Sequence, residues 1–275
     1  MKEKYGVCAL CSYLCCSRSG YYDWVWRGKP VHNKIDTEKA AKILSVYLER
    51  KTRGRRQVQM QLERQYNLHM SLGSVHRYMS ILNIQSLRKR RFIPLSKKTQ
   101  NMPNTFQNVL KQNFCVSDAS HKWLTDITYL HSRDGTEYLS CIKNLKDKSI
   151  IAYHISNKND LSLVMETLKK AIPKIQHSIL LHSDQGSQYH SPVYHRFLSE
   201  HGITGSMSRK GTPYDNAPIE SFFSALKNEE LKLFKGLTMQ QTRKKVARFI
   251  HYYNYERPQW GLQKLTPIEY GRQLV

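Results

Sequence analysis

The feature that most constrains the fold is a change of pattern at Lys122. From there the apolar residues fall in three strand-like runs, 122–131, 136–145 and 148–156, with Asp134-Gly135 and Lys146-Asp147 between them as tight turns. The pattern then predicts a helix from about Asp160 to Ile172, halted by Pro173, a buried strand over 178–183, a helix over 192–201 and a strand over 203–207. Helices near 216–231 and 239–254 follow. Three consecutive strands, then alternating helix and strand, then helices, call for an α/β core: a mixed sheet flanked by helices.

Three carboxylates stand out in this half. Asp126 lies inside the first run, Lys122-Trp-Leu-Thr-Asp-Ile-Thr-Tyr-Leu130; Asp184 closes the run Ser178-Ile-Leu-Leu-His-Ser-Asp184; Glu220 sits in Asn216-Ala-Pro-Ile-Glu-Ser-Phe-Phe223, where a helix begins. Spacing alone is weak, because 21 acids in 275 residues produce such gaps by chance. Asp184 before Gln185-Gly186 also suits a turn, Glu220 suits the positive end of a helix dipole, and Asp215 reads as a helix cap.

The flanks decide between these readings. Trp-Leu-Thr-Asp-Ile-Thr-Tyr at 123–129, His-Ser-Asp-Gln-Gly-Ser-Gln-Tyr at 182–189 and Ser-Met-Ser-Arg-Lys-Gly-Thr-Pro-Tyr-Asp-Asn-Ala-Pro-Ile-Glu-Ser-Phe-Phe at 206–223 closely resemble DDE transposases. More narrowly, they resemble the integrase-core transposases of bacterial insertion sequences with two overlapping reading frames, over nearly the whole chain. The resemblance implies a ribonuclease H-like core in which Asp126 and Asp184 are neighbours in the sheet and Glu220 reaches them from a helix. It makes Asp126, Asp184 and Glu220 the catalytic acids and the ligands of two Mg²⁺ (or Mn²⁺) ions, with Asp126 bridging. Hard oxygen donors suit those ions, and a pair about 4 Å apart serves both oxygens of an in-line displacement. The implied activity is cleavage at the ends of a mobile element and strand transfer by the freed 3′-hydroxyl, with no covalent protein–DNA link. His182 would assist proton transfer or orient Asp184, or is a satisfied structural histidine. At Gln259 some relatives place a histidine, a departure that leaves the three acids untouched.

The formal charge of +23 is unevenly placed: residues 1–113 hold 22 Lys/Arg against 6 Asp/Glu. A basic unit ahead of a more balanced one points to docking on a polyanion. The acid-bearing second half disfavours a ribosomal protein, and the lack of a long basic amphipathic helix disfavours a membrane-surface binder. Asp36 caps a helix to about Arg50, Gly54 breaks the chain, and a second helix spans Arg55 to Tyr66 with Val58, Leu62 and Tyr66 on one stripe. After the turn Asn67–Met70, Ser71 caps a third helix with Leu72, Val75, Met79 and Leu82 inward, a helix-turn-helix pattern. The expected DNA contacts are Arg55, Arg56, Ser74, Arg77 and the run Arg88, Lys89, Arg90, Arg91. Arg209 and Lys210, in a basic loop between the second and third acids, and Lys227, two turns beyond Glu220, complete the set. Most of these would touch phosphates, with base reading left to the third helix. A polar face that binds nothing, or solvated surface at Lys227, is the alternative.

The expected organisation is a helical lead segment over 1–30, a small all-α helix-turn-helix domain over 31–93, a linker over 94–113 and the catalytic core over 114–275. In the lead, residues 5–16 read as a helix, Ser17–Tyr22 as a turn, and Trp24 and Trp26 as plugs of a small core. Cys8, Cys11 and Cys15 share one helix side and read as small buried thiols in a reducing compartment, since a zinc ribbon's second pair is missing. No apolar stretch approaches the ~18 residues of a membrane span, and the start is a poor signal peptide, so the expected location is cytoplasmic. The resemblance implies as partners DNA, further copies of the chain on DNA, and an upstream-frame product carrying another helix-turn-helix and a zipper, for which residues 1–30 supply no sustained heptad. Two other functions fit the same motifs: a non-catalytic DNA-binding regulator, and a nuclease of the same fold.

Overall fold

The computed structural model describes residues 6–28, 35–88, 106–111, 121–175, 178–208 and 216–274. At its centre is a five-stranded sheet of order β3-β2-β1-β4-β5, formed by β1 (His121–Ser132), β2 (Gly135–Asn144), β3 (Ile150–Ser156), β4 (Ile179–Ser183) and β5 (Ile203–Met207). The first three strands form an antiparallel meander, while β4 lies parallel to β1 and β5 parallel to β4. This mixed order, with helices on both faces, is the ribonuclease H-like arrangement.

Alternation along the strands sorts the side chains between the two faces. Leu124, Leu130, Leu139 and Cys141 pack against α8 (Ala217–Glu229) and α9 (Met239–Tyr255) through Ile219, Phe222, Leu226, Val246 and Phe249. Trp123, Ile142 and Ala152 point the other way, onto α6 (Leu161–Ala171) and α7 (Pro192–Glu200) through Val164, Leu168, Tyr194 and Leu198. Each such side chain contributes about 1.5–3 kcal/mol when fully buried, so the two layers fix the sheet firmly under the acids. Asp160 caps α6 by accepting from Leu163 N–H, and Thr238 with Gln241 forms a capping box at the start of α9. Gly205 leaves room for a ring: a Cβ there would stand 2.5 Å from the Phe106 ring, which lies over β5 and stacks on His195, and would force it to shift.

The N-terminal helices form a second core. α3 (Thr37–Glu49), α4 (Arg55–Tyr66) and α5 (Leu72–Ile81) bury Ile43, Val46, Val58, Leu62, Val75 and Met79 among themselves. Asp36 and Ser71 cap α3 and α5, and Asn67 ends α4 in the left-handed region (φ 49°), making the tight turn. Polar contacts join this unit to the core. Arg50 meets Glu230 at 2.7 Å and lies 3.8 Å from the Tyr252 ring centroid. Arg64 holds Glu269 of α10 (Pro267–Gln273), and Lys264 holds Glu63, each at 2.6 Å.

The lead segment departs from expectation. α1 covers only Val7–Tyr13, because Cys15 adopts φ 52° and turns the chain. Ser17–Tyr22 is not a turn: Ser17 caps α2 (Arg18–Trp26), accepting from Gly20 N–H. Trp26 is 86% exposed and plugs nothing, and of the four clustered cysteines only Cys11 is buried. Two short helices that pack on one another give too little interior for the rest. Among the described residues no helix is long and apolar enough to cross a membrane.

Candidate active site

Asp126 lies mid-strand on β1, opposite Cys141 of β2, on the face covered by α8 and α9. The parallel pairing of β1 with β4 matches Leu124 to His182, so Asp184, two residues on, comes level with Asp126 just past the strand end. Glu220 lies in the first turn of α8 and is exposed. Sheet register and helix packing thus bring three carboxylates from distant parts of the chain to one region.

Their electrostatics show the proximity. Burial pushes the Asp126 carboxyl well above the usual carboxylate range, and the Asp184 charge pushes it further; Glu220 adds to this, while the Ile127 N–H (2.7 Å) and Lys227 oppose it. Asp184 is raised by burial against the pull of the Gly186 N–H (3.0 Å) and His190. Glu220, though its side chain meets solvent, is raised first by partial desolvation against the surrounding protein and then by the Asp184 charge.

Charge pairing sets these acids apart from most others in the core. Glu137, Glu229, Glu230 and Glu269 each take an arginine, whereas among the described residues none of Asp126, Asp184 and Glu220 forms an ion pair. In a chain of +23, such acids are an open demand for positive charge. Three hard oxygen donors fit Mg²⁺ or Mn²⁺. Among the described residues no three His, Cys, Asp or Glu side chains stand close enough to hold an ion as they are, so ligation calls for the carboxylates to draw together.

The other expected residues divide. Lys227 is half-buried, donates to Thr128 Oγ1 at 2.6 Å and senses the Asp126 charge, so it belongs to the acid cluster rather than to solvated surface. His182 is fully buried, its Nδ1 2.9 Å from Ser206 Oγ on β5, a contact that ties β4 to β5. Arg55, Arg56 and Arg77 are exposed, as are His76 and Ser80 on the outward side of α5. Ser74 is tied to the cap, with Ser71 Oγ donating to its hydroxyl at 3.0 Å. Arg88 lies 3.7 Å from the buried Glu229, so its charge is engaged by the core. Lys89, Arg90, Arg91, Arg209, Lys210 and Asp215 lie outside the described residues. Sequence reasoning missed Lys143, a buried lysine on β2 whose Nζ donates to the Pro218 carbonyl and the Tyr253 hydroxyl. Its one signal was a charge beside the apolar residues Cys141 and Ile142 of β2.

Sheet order defines the class first: a core of the ribonuclease H-like type. Two models described as integrase core domain match residues 117–213 and 201–267, and an HTH-like domain model matches residues 34–92. The chain is 34% identical over 237 residues to the putative transposase InsK for insertion sequence element IS150 of Escherichia coli K12, covering 84% of this chain and 82% of that one. It is 39% identical over 167 residues to an uncharacterized transposase-like protein of Haemophilus influenzae (60% and 77% covered). It is 29% identical over 269 residues to the transposase InsF for insertion sequence IS3A of Escherichia coli K12 (94% and 92% covered). The chain belongs to the insertion-sequence transposase family with an integrase-type core.

Proposed function

We propose that this transposase cleaves DNA at insertion-sequence ends and joins the freed strand to a target, with Asp126, Asp184 and Glu220 as its catalytic acids. The observation that carries the reading is the trio of mutually repelling, unpaired carboxylates gathered by β1, β4 and α8 in a strongly basic chain. These side chains would hold two Mg²⁺ or Mn²⁺ ions. When bound, such ions neutralise phosphate charge, activate an attacking water or 3′-hydroxyl and stabilise the leaving oxygen. The protein's own share is positioning: Gly186 N–H and Ile127 N–H each hold one carboxylate oxygen of Asp184 and Asp126, leaving the other free. Lys227 adds positive charge beside Asp126.

The exposed arginines Arg55, Arg56 and Arg77 dock the helical unit on the same DNA by phosphate contacts. Action as a multimer on DNA, together with the product of the upstream frame, completes the proposal. Purified protein with Mg²⁺ and labelled element ends tests it. Cleaved and joined products are expected from wild type; Asp184→Asn is expected to bind the ends and do no chemistry. Unchanged strand transfer by Asp184→Asn refutes the assignment, cleavage without joining turns it to a nuclease, and binding alone by wild type turns it to a regulator.

A further inference from the structure

The three acids come from two rigid strands and one helix, so the geometry is only as good as the placement of α8. That helix starts poorly. Its N-cap, Asn216, makes no capping hydrogen bond, and its buried side-chain oxygen has no partner among the described residues. Beyond the burial of Ile219, a polar contact holds the first turn that carries Glu220.

Lys143 makes that contact. It sits on β2 opposite Leu124 and, by strand alternation, shares the face of Cys141, the residue opposite Asp126. A register shift in the pairing with β3 falls between Ile142 and Lys143, the kind of irregularity that re-aims a side chain. The side chain is 3% exposed; its ammonium donates to the Pro218 carbonyl at 2.8 Å and to the Tyr253 hydroxyl of α9 at 3.1 Å. Pro218 is two residues before Glu220. One side chain therefore fastens the strand next to Asp126 to the turn that bears the third acid.

Helix stability does not explain this contact. A cation at a helix N-terminus meets the positive end of the dipole, and a buried ammonium must recover its lost hydration from its partners. Tyr253 supplies a second partner and is itself held: Arg257 lies 5.8 Å from its ring centroid and is bound bidentately by Glu229 at the far end of α8. Burial pushes the Tyr253 phenol up, but Lys143 and Arg257 together hold it below its usual value. Both ends of α8 are thus tied to one buried polar chain.

We propose that Lys143 is a positioning residue for Glu220, setting the distance from the first turn of α8 to the acids on β1 and β4. The inference rests on the reading of Glu220 as a metal-binding acid. Groups that orient metal ligands from behind typically change metal affinity about 10–100-fold when lost.

The test is Mn²⁺ binding to the full chain without DNA, by calorimetry, beside the Mn²⁺ dependence of end cleavage. Lys143→Met keeps the length and removes the donor. It is expected to bind Mn²⁺ about tenfold more weakly and to need about tenfold more for half-maximal cleavage, with Lys143→Arg recovering part of both. A folded Lys143→Met with wild-type Mn²⁺ affinity overturns the proposal. Should Lys143→Met fail to fold, Tyr253→Phe decides: it removes one oxygen, weaker Mn²⁺ binding supports the positioning role, and unchanged binding overturns it. Glu220→Gln separates the two readings. If it binds Mn²⁺ and cleaves like wild type, the acid assignment itself fails; if it does neither while Lys143→Met is normal, only the positioning role fails.

Discussion

Removing Arg50 should loosen the helical unit from the core by about 3 kcal/mol. Its side chain is 16% exposed and that of Glu230 10%, so the pair is little screened by salt. Breaking a buried pair typically costs about 3–5 kcal/mol because the remaining charge is stranded. Here Lys245 stays 3.4 Å from Glu230 and softens that penalty, while the stacking of Arg50 on Tyr252 adds about 1 kcal/mol to the loss. A double-mutant cycle of Arg50→Ala and Glu230→Gln, read by urea unfolding of the full chain, isolates the pair. A coupling of about 2 kcal/mol is expected, nearly unchanged between low and high salt. Replacing both with apolar residues of similar size is expected to be close to neutral, since neither charge is then stranded. A coupling below about 0.5 kcal/mol, or one that vanishes with salt, refutes the claim that this contact joins the two units.

Glu269 is pulled to about 2, first by the Arg64 side chain, from the model-peptide value of 4.5. A lowered carboxyl stabilises above its unfolded value and loses that contribution as pH falls toward 2; exposure discounts it to about 1 kcal/mol or less, and the difference between wild type and Arg64→Ala should shrink across that window. Arg77→Ala should weaken binding of element ends and lower the salt slope by about 1, measured as log Kd against log salt concentration; an unchanged slope removes Arg77 from the DNA contacts. Gly205→Ala forces the Phe106 ring off β5 and should cost about 1–3 kcal/mol in urea unfolding, whereas an unchanged midpoint would mean the ring moves freely.

Much of the core was legible because its signals are local. The alternation of Trp123, Leu124, Ile127 and Leu130 marks a strand buried on both sides, and Asp160, Ser71 and Asp36 mark helix starts by their side-chain oxygens. The acids stood out because each lies in a long motif. What stayed hidden depends on partners far away in sequence. Nothing near Arg50 says that Glu230 will neutralise it, and nothing near Arg88 says that Glu229 will engage it. Nothing near Lys143 says that Pro218 and Tyr253 will take its ammonium. The reading of Ser17–Tyr22 as a turn failed differently: serine and glycine favour turns, but the same Ser17 hydroxyl can cap a helix, and local composition does not choose between them.

The distribution of charge carries one further step. Within the core, several cations are consumed internally: Arg243 by Glu137, Arg257 by Glu229, Lys143 by a carbonyl and a phenol. Asp126, Asp184 and Glu220, by contrast, cluster without an ion pair among the described residues. The helical unit shows the converse, with Arg55, Arg56 and Arg77 exposed. A polyanion is therefore attracted to the helical unit and repelled at the acid cluster until divalent cations arrive there, because unpaired carboxylates and phosphates share a sign. On this account binding and chemistry separate: metal-free protein should hold DNA through its arginines, and the acid cluster should admit the scissile phosphate only with metal. If adding EDTA abolished end binding as completely as it abolished cleavage, that division of labour would be wrong.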